Sequence, residues 1–160
     1  GLQHCMAELT LLMAPYVNSY QRFCHAYASP NNLCWSHDNR AAGLRMPASE
    51  PVARRVENRL PGADANPYLA VAASLAAGLY GMDHRCEPSA PAQGEFNAPD
   101  ELVLPSTLHE AINRLDRSEV ARVLFGAEFI NGYLATKRME LESFMDEITP
   151  WERRFLGSQV

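Results

Sequence analysis

The stretch Arg54-Arg55-Val56-Glu57-Asn58-Arg59-Leu60-Pro61 constrains this chain more than any other. If residues 55–60 form a strand, its period-two geometry sets Arg55, Glu57 and Arg59 side by side on one face. A carboxylate between two guanidinium groups can close a local ion-pair ladder, or hold a cation and anionic oxygens at one spot. Further arginines lie upstream at Arg22, Arg40 and Arg45. From Arg22 to Arg59 six arginines stand against Asp38, Glu50 and Glu57, a local +3 within a chain of net charge −5. Of the 14 basic residues only Lys137 is a lysine. Arginine presents a planar fork of donors matched to carboxylate and phosphate, so this clustering fits a small anionic ligand. The acidic overall balance and the lack of a continuous basic face exclude a nucleic-acid partner.

At 160 residues and 47% hydrophobic content, the chain can support one packed core. It opens at Gly1 directly on an apolar pattern, with Leu2, Cys5, Met6, Leu9, Leu12 and Met13 at helical spacing before Pro15. There is no basic leader with a cleavage site and no apolar run of membrane-spanning length. The sequence therefore reads as a single piece, residues 1–160, of a longer cytoplasmic enzyme, with no membrane association and its first helix packed on parts outside this sequence. Cys5, Cys24, Cys34 and Cys86 show no paired spacing. Cys34-x-x-His37 beside Cys24-His25 lacks the tighter pairing of a structural zinc site, so the cysteines read as reduced thiols.

The spacing predicts an α+β fold: short antiparallel strands carrying the arginines, then a mainly helical C-terminal half. Residues 17–28 read as irregular, with Tyr16, Tyr20, Phe23 and Tyr27 available to pack. Residues 33–36, 41–46 and 55–60 are strand candidates in an antiparallel meander, with Arg40 at a turn. Asn66-Pro67 starts a helix whose stripe Leu69, Ala72, Ala73, Ala76, Leu79 and Tyr80 predicts a buried element. Residues 87–105, with Pro88, Pro91, Pro99 and Pro105, form a surface loop. Ser106 then caps one short helix and Ser118 another, closed by Gly126. A long helix over 127–147 carries Ile130, Tyr133, Leu134, Leu141, Phe144, Met145 and Ile148 on one side, and Thr149-Pro150-Trp151-Glu152 is a capping box.

Four blocks carry a specific resemblance: Asn18-Ser19-Tyr20-x-Arg22, Asn39-Arg40-x4-Arg45, Arg55-Val56-Glu57-x-Arg59-x-Pro61 and Ala65-Asn66-Pro67-Tyr68-Leu69. In this order and at nearly these spacings the chain resembles the C-terminal part of the glutamine synthetase catalytic domain, most clearly from residue 1 to about Met82. That family phosphorylates the side-chain carboxylate of glutamate with ATP, and an amine then displaces phosphate. Every stage concentrates negative charge, which arginines and divalent cations must offset. The resemblance implies Glu57 as a ligand of Mg²⁺ or Mn²⁺, Arg59 as a holder of glutamate or the phosphoryl group, and Arg22 as a second glutamate-side arginine. It implies Arg40 and Arg45 as contacts to the nucleotide phosphates and the transition-state charge, with Arg40 and Arg59 catalytic, and Arg55 on the nucleotide side. The other metal ligands would lie upstream of Gly1, and the assembly would be a large ring-stacked homo-oligomer. On the residues alone, Glu57 stays open between ion-pair partner and metal ligand, since Mg²⁺ needs several oxygen ligands.

Two departures refine the expectation. The family segment normally reads Arg-x4-Tyr-Glu-Ala-Pro, with its Glu binding ammonium, whereas here Ala28 stands in that place between Tyr27 and Ser29-Pro30. Loss of that carboxylate removes attraction for ammonium and opens space for a larger amine. This is similar to the γ-glutamyl-amine ligases of the family, including γ-glutamylpolyamine synthetases; ordinary glutamine synthetase and a non-catalytic relative are the alternatives. No tyrosine occurs between Tyr80 and Tyr133, so the adenylylated tyrosine of some bacterial members has no counterpart.

Overall fold

The computed structural model describes residues 1–25 and 29–159. Its helices are α1 (Leu2–Met13), α2 (Val17–His25), α3 (Pro67–Asp83), α4 (Leu108–Arg117), α5 (Glu119–Phe125), α6 (Ala127–Met145) and α7 (Pro150–Leu156). Three short strands, β1 (Trp35–His37), β2 (Leu44–Met46) and β3 (Glu57–Asn58), complete an α+β arrangement.

Helix α1 is the centre of the core. Cys5, Met6, Leu9, Leu11, Leu12 and Met13 are fully buried, each such side chain contributing roughly 1.5–3 kcal/mol of transfer free energy as an upper estimate. Thr10 is also buried, and its hydroxyl donates to the Met6 carbonyl at 2.8 Å, which removes the cost of an orphan polar group. Burial drives the Cys5 thiol up to about 11, so it stays protonated and inert at neutral pH. Helices α3, α4 and α5 of the same chain pack on α1.

Helix α3 begins as predicted: Asn66 Oδ1 accepts from the backbone N–H groups of Tyr68 and Leu69, with Pro67 at the first position. Its burial differs from expectation. The buried strip is Ala70, Ala73, Ala77 and Gly81, small residues that let the backbones of α1 and α3 touch; a Cβ on Gly81 would lie 2.4 Å from Gly1. Tyr68, Val71, Leu75, Leu79 and Met82 point outward, each more than half exposed. The helix is apolar all round, so the apolar stripe alone could not say which side faces the core; side-chain size decided it.

The sheet corrects the meander. Strand β2 pairs antiparallel with β3 but parallel with β1, because the chain loops back over residues 38–43 instead of making a hairpin. Asn32 holds that return: its Oδ1 accepts from Cys34 N–H and Gly43 N–H, and its Nδ2 donates to Ala41 O. Gly43 passes so close that a Cβ would sit 1.8 Å from the Asn32 carbonyl oxygen. Residues 17–25 are helical, not irregular. Tyr16 N–H donates to Ser19 Oγ at the start of α2, and Tyr20 and Phe23 form its buried stripe.

Residues 87–105 contain only a 3₁₀ turn at Asp100–Leu102 and a single bridge from Val103 to Asn32. The loop is fastened along β1: Trp35 Nε1 donates to Ser89 O, Ser36 Oγ to Ala92 O and Asn39 Nδ2 to Gly94 O, which covers the sheet edge. Thr107, one residue beyond the predicted Ser106, caps α4, while Ser106 binds the Glu110 carboxylate. Ser118 caps α5, Gly126 ends it at φ 80°, and the Thr149–Glu152 capping box starts α7, all as expected. On α6 only Ile130, Leu134 and Lys137 are buried; Phe144 and Met145 are exposed, as is Ile148 beyond the helix end, because the helix runs past the core that α4 and α5 offer it.

Gly43→Ala should lower the thermal midpoint of the whole protein, because backbone must move to admit the methyl group, at roughly 1–3 kcal/mol. Gly132→Ala on α6, whose added Cβ meets nothing within this chain, should leave it unchanged or raised. Equal midpoints for Gly43→Ala and the unsubstituted protein would contradict the close approach.

Candidate functional site

The six residues singled out by sequence converge on β2, β3 and the turn between β1 and β2. Arg45 and Glu57 are cross-strand partners, and Arg45 Nη1 donates to Glu57 Oε2 at 2.7 Å. The other Arg45 nitrogen, Nη2, binds Asp38, whose positive φ of 54° turns the chain just after β1. Arg55 reaches the second Glu57 oxygen at 3.4 Å from a half-exposed position, a contact of small energetic weight. Glu57 is thus flanked by Arg45 and Arg55. The sequence placed Arg59 in that role, but regular pairing stops at Asn58, and the Arg59 side chain turns to donate to the carbonyl oxygen of Arg40. Arg40 lies in the turn, as predicted, and is exposed.

Arg22 joins from α2. It donates to Ser29 Oγ at 2.6 Å and to the carbonyl of Leu60, the residue after Arg59. The Nε atoms of Arg22 and Arg45 are buried without a hydrogen-bond partner among the described residues. Arg45, Glu57 and Arg55 therefore form one network, Arg40 and Arg59 a second contact, and Arg22 meets them through Leu60. Ala28 lies outside the described residues.

The electrostatics follow from this crowding. Burial, and then the like charges of Arg40 and Arg45, lower the pKa of Arg59; it stays protonated, but an anion placed there would relieve the repulsion. Burial is also the main cause that lowers Arg22, with Asp64 acting in opposition. The hydrogen bond from Arg45 holds Glu57 below the ordinary carboxylate value, with the charges of Arg45 and Arg55 adding to it. Among the described residues no three His, Cys, Asp or Glu side chains come together in a metal-holding group, so Glu57 offers at most one ligand to a cation.

Strand parity gives the sheet two characters. Leu44 and Met46, alternating with Arg45, line a cavity of about 670 Å³ with Trp35, Val56 and Leu2. None of the six candidate residues lines it. Sequence reasoning missed three polar residues of the arginine side: Asp38, Ser19 and Asp64. Ser19 Oγ donates to Asp64 Oδ2 and ties α2 to the segment that follows β3. The Asp38-Asn39 pair could have signalled a left-handed turn; nothing in the spacing of Ser19 and Asp64 foretells their contact.

Comparison with known proteins shows the family. Residues 1–156 match the family model described as glutamine synthetase, catalytic domain. A γ-glutamylethanolamide synthetase of Streptomyces coelicolor is 42% identical over 93% of the chain and 32% of its own length. A glutamate–isopropylamine ligase of a Pseudomonas species is 38% identical over 95% of the chain and 34% of its own. A glutamine synthetase of Thermus thermophilus is 34% identical over 95% and 36%. The chain spans about a third of the length of these relatives. No described helix is long and apolar enough to cross a membrane.

The lowered Glu57 pKa fixes a sign. A carboxylate whose folded value lies below its unfolded value adds stability above the unfolded value and loses it as pH falls through the folded one. Arg45→Met should therefore cost more stability at neutral pH than in acid, with the difference shrinking below the ordinary carboxylate range. Denaturant unfolding of both proteins across that range is the measurement; a pH-independent difference would rule out an electrostatic role for the pair.

Proposed function

The chain belongs to the glutamine synthetase family, and on that premise we propose that it forms part of a cytoplasmic ATP-dependent ligase joining glutamate to an organic amine through γ-glutamyl phosphate. The observation that carries this reading is the convergence of Arg22, Arg40, Arg45 and Arg59 around one sheet edge and turn beside Glu57. A site that gathers positive charge and offers a single carboxylate suits the transfer of a phosphoryl group to an anionic acceptor.

In that reaction the γ-carboxylate oxygen of glutamate attacks the terminal phosphorus of ATP and ADP leaves. The amine nitrogen then attacks the acyl carbon, phosphate leaves with the C–O bonding pair, and the nitrogen loses a proton. Arg22 and Arg59 hold glutamate and the transferred group, and their forks fix its orientation. Arg40, Arg45 and Arg55 lie on the nucleotide side. The exposed Arg40, drawn near Arg59 by its own carbonyl, offers its charge to the transition state. A divalent cation, Mg²⁺ or Mn²⁺, would shield the phosphate charge; Glu57 would give it one oxygen by loosening an arginine contact, with the remaining ligands supplied from outside this chain. The active form would be a large ring-stacked homo-oligomer.

An organic amine, such as a polyamine, ethanolamine or a small alkylamine, is favoured over ammonium because Ala28 replaces the flap carboxylate of the family pattern. Two of the relatives above carry names of amine-using ligases. Ordinary glutamine synthetase is the second reading, supported by the relatives of that name.

Two experiments test the reading. Arg59→Lys in the whole protein should lower kcat/KM nearly as far as Arg59→Ala, by roughly 2–4 kcal/mol of transition-state stabilisation, because a point charge does not replace the fork. Near-normal turnover by Arg59→Lys would remove Arg59 from the site. Separately, ADP release should be compared with ammonium, ethanolamine, isopropylamine, putrescine and spermidine as acceptors. An organic amine should give the highest kcat/KM; ammonium as the best acceptor would establish ordinary glutamine synthetase, and no glutamate-dependent ADP release with any of them would establish the non-catalytic alternative.

A further inference from the structure

Resting on the ligase reading, we propose that Lys137 is a positioning residue for the glutamate-side arginine Arg22, acting through Tyr16 and Ser19. Lys137 is the sole lysine of the chain and is 4% exposed. Its Nζ lies 2.7 Å from Glu140 Oε2 and over the rings of Tyr16 and Tyr133, 4.4 and 5.5 Å from their centroids. Drawing an ammonium out of water is costly, and an apolar side chain of the same length would fill this space without that cost. The Glu140 pair lies within one helix and fixes nothing beyond it. The contact that leaves α6 is the cation–π contact with Tyr16.

Tyr16 immediately precedes α2, and the geometry downstream is continuous. Its backbone N–H donates to Ser19 Oγ at 3.1 Å, and the Ser19 hydroxyl proton goes to Asp64. Ser19 and Arg22 are three residues apart, on one side of α2. Asp64 lies close enough to Arg22 to raise its pKa against the effect of burial. Arg22 in turn is anchored on Leu60 O. One turn before Lys137, the Tyr133 hydroxyl donates to Leu11 O, so α6 braces the α1–α2 corner from both sides. A shift of the Tyr16 ring would move the first turn of the helix that aims Arg22.

The test is glutamate binding to the whole protein, measured by calorimetry with Mg²⁺ and a non-hydrolysable ATP analogue. Lys137→Met should weaken glutamate binding about fivefold or more while leaving the affinity for the nucleotide analogue unchanged. Lys137→Arg, which can also stack on the two rings, should restore most of it. Ser19→Ala should weaken glutamate binding similarly, and the double variant should bind no more weakly than either single one. Tyr16→Leu, at a half-exposed position, carries the same expectation if Lys137→Met does not fold. Unchanged glutamate affinity in the folded variant, even with a lower thermal midpoint, would overturn the proposal, as would single effects that simply multiply. If the unsubstituted protein binds no glutamate, the ligase reading itself falls.

Discussion

The C-terminal half of helix α1 has no solvent side. With α3, α4 and α5 packed around it, its last five residues from Leu9 are all buried, so every neighbouring element takes its position from one cylinder. The small strip on α3 is the other half of that constraint: Ala73, Ala77 and Gly81 let two backbones meet, and close-packed interiors do not tolerate even one added carbon at such a contact. Because α3 follows directly from β3 through residues 59–66, fixing α3 on α1 also fixes where the strand carrying Glu57 must end.

The arginine side is built on shorter-range geometry. The sheet has too few pairs to be stable by itself, and its shape depends on polar contacts instead: the Asn32 side chain gathers the return loop, and the 87–105 loop is hydrogen-bonded along β1. Arg45 then spans Asp38 and Glu57, joining turn to strand. The candidate site is thus a set of charges whose spacing is set by side-chain ion pairs and by hydrogen bonds to backbone, while the hydrophobic core below decides only where the platform stands.

Legibility in the sequence followed the range of the forces involved. Caps at Asn66, Ser118 and Thr149 and the ends of α1 and α5 depend on neighbours within a few residues, and they were readable. The six candidate residues were singled out through motif resemblance, but their partners were not. Arg45, not Arg59, meets Glu57 because β3 is only two residues long, and strand length is decided by tertiary context. Helix α2 was missed because Tyr20 and Phe23 make a stripe too short to stand out, and its first turn is closed by Ser19 back to Tyr16. The outward face of α3 was misread because periodicity cannot rank two apolar faces of one helix.

The near-exclusive use of arginine has a chemical consequence as well as an electrostatic one. The only lysine side chain is shut between two tyrosine rings and a carboxylate, with 6% of its surface exposed. Guanidinium groups do not undergo the acyl transfers that primary amines do. Within this segment, acetyl donors, ubiquitin-type conjugation and amine-reactive cross-linkers therefore meet no open lysine, and a strongly charged surface is left without the commonest handle by which proteins are covalently marked.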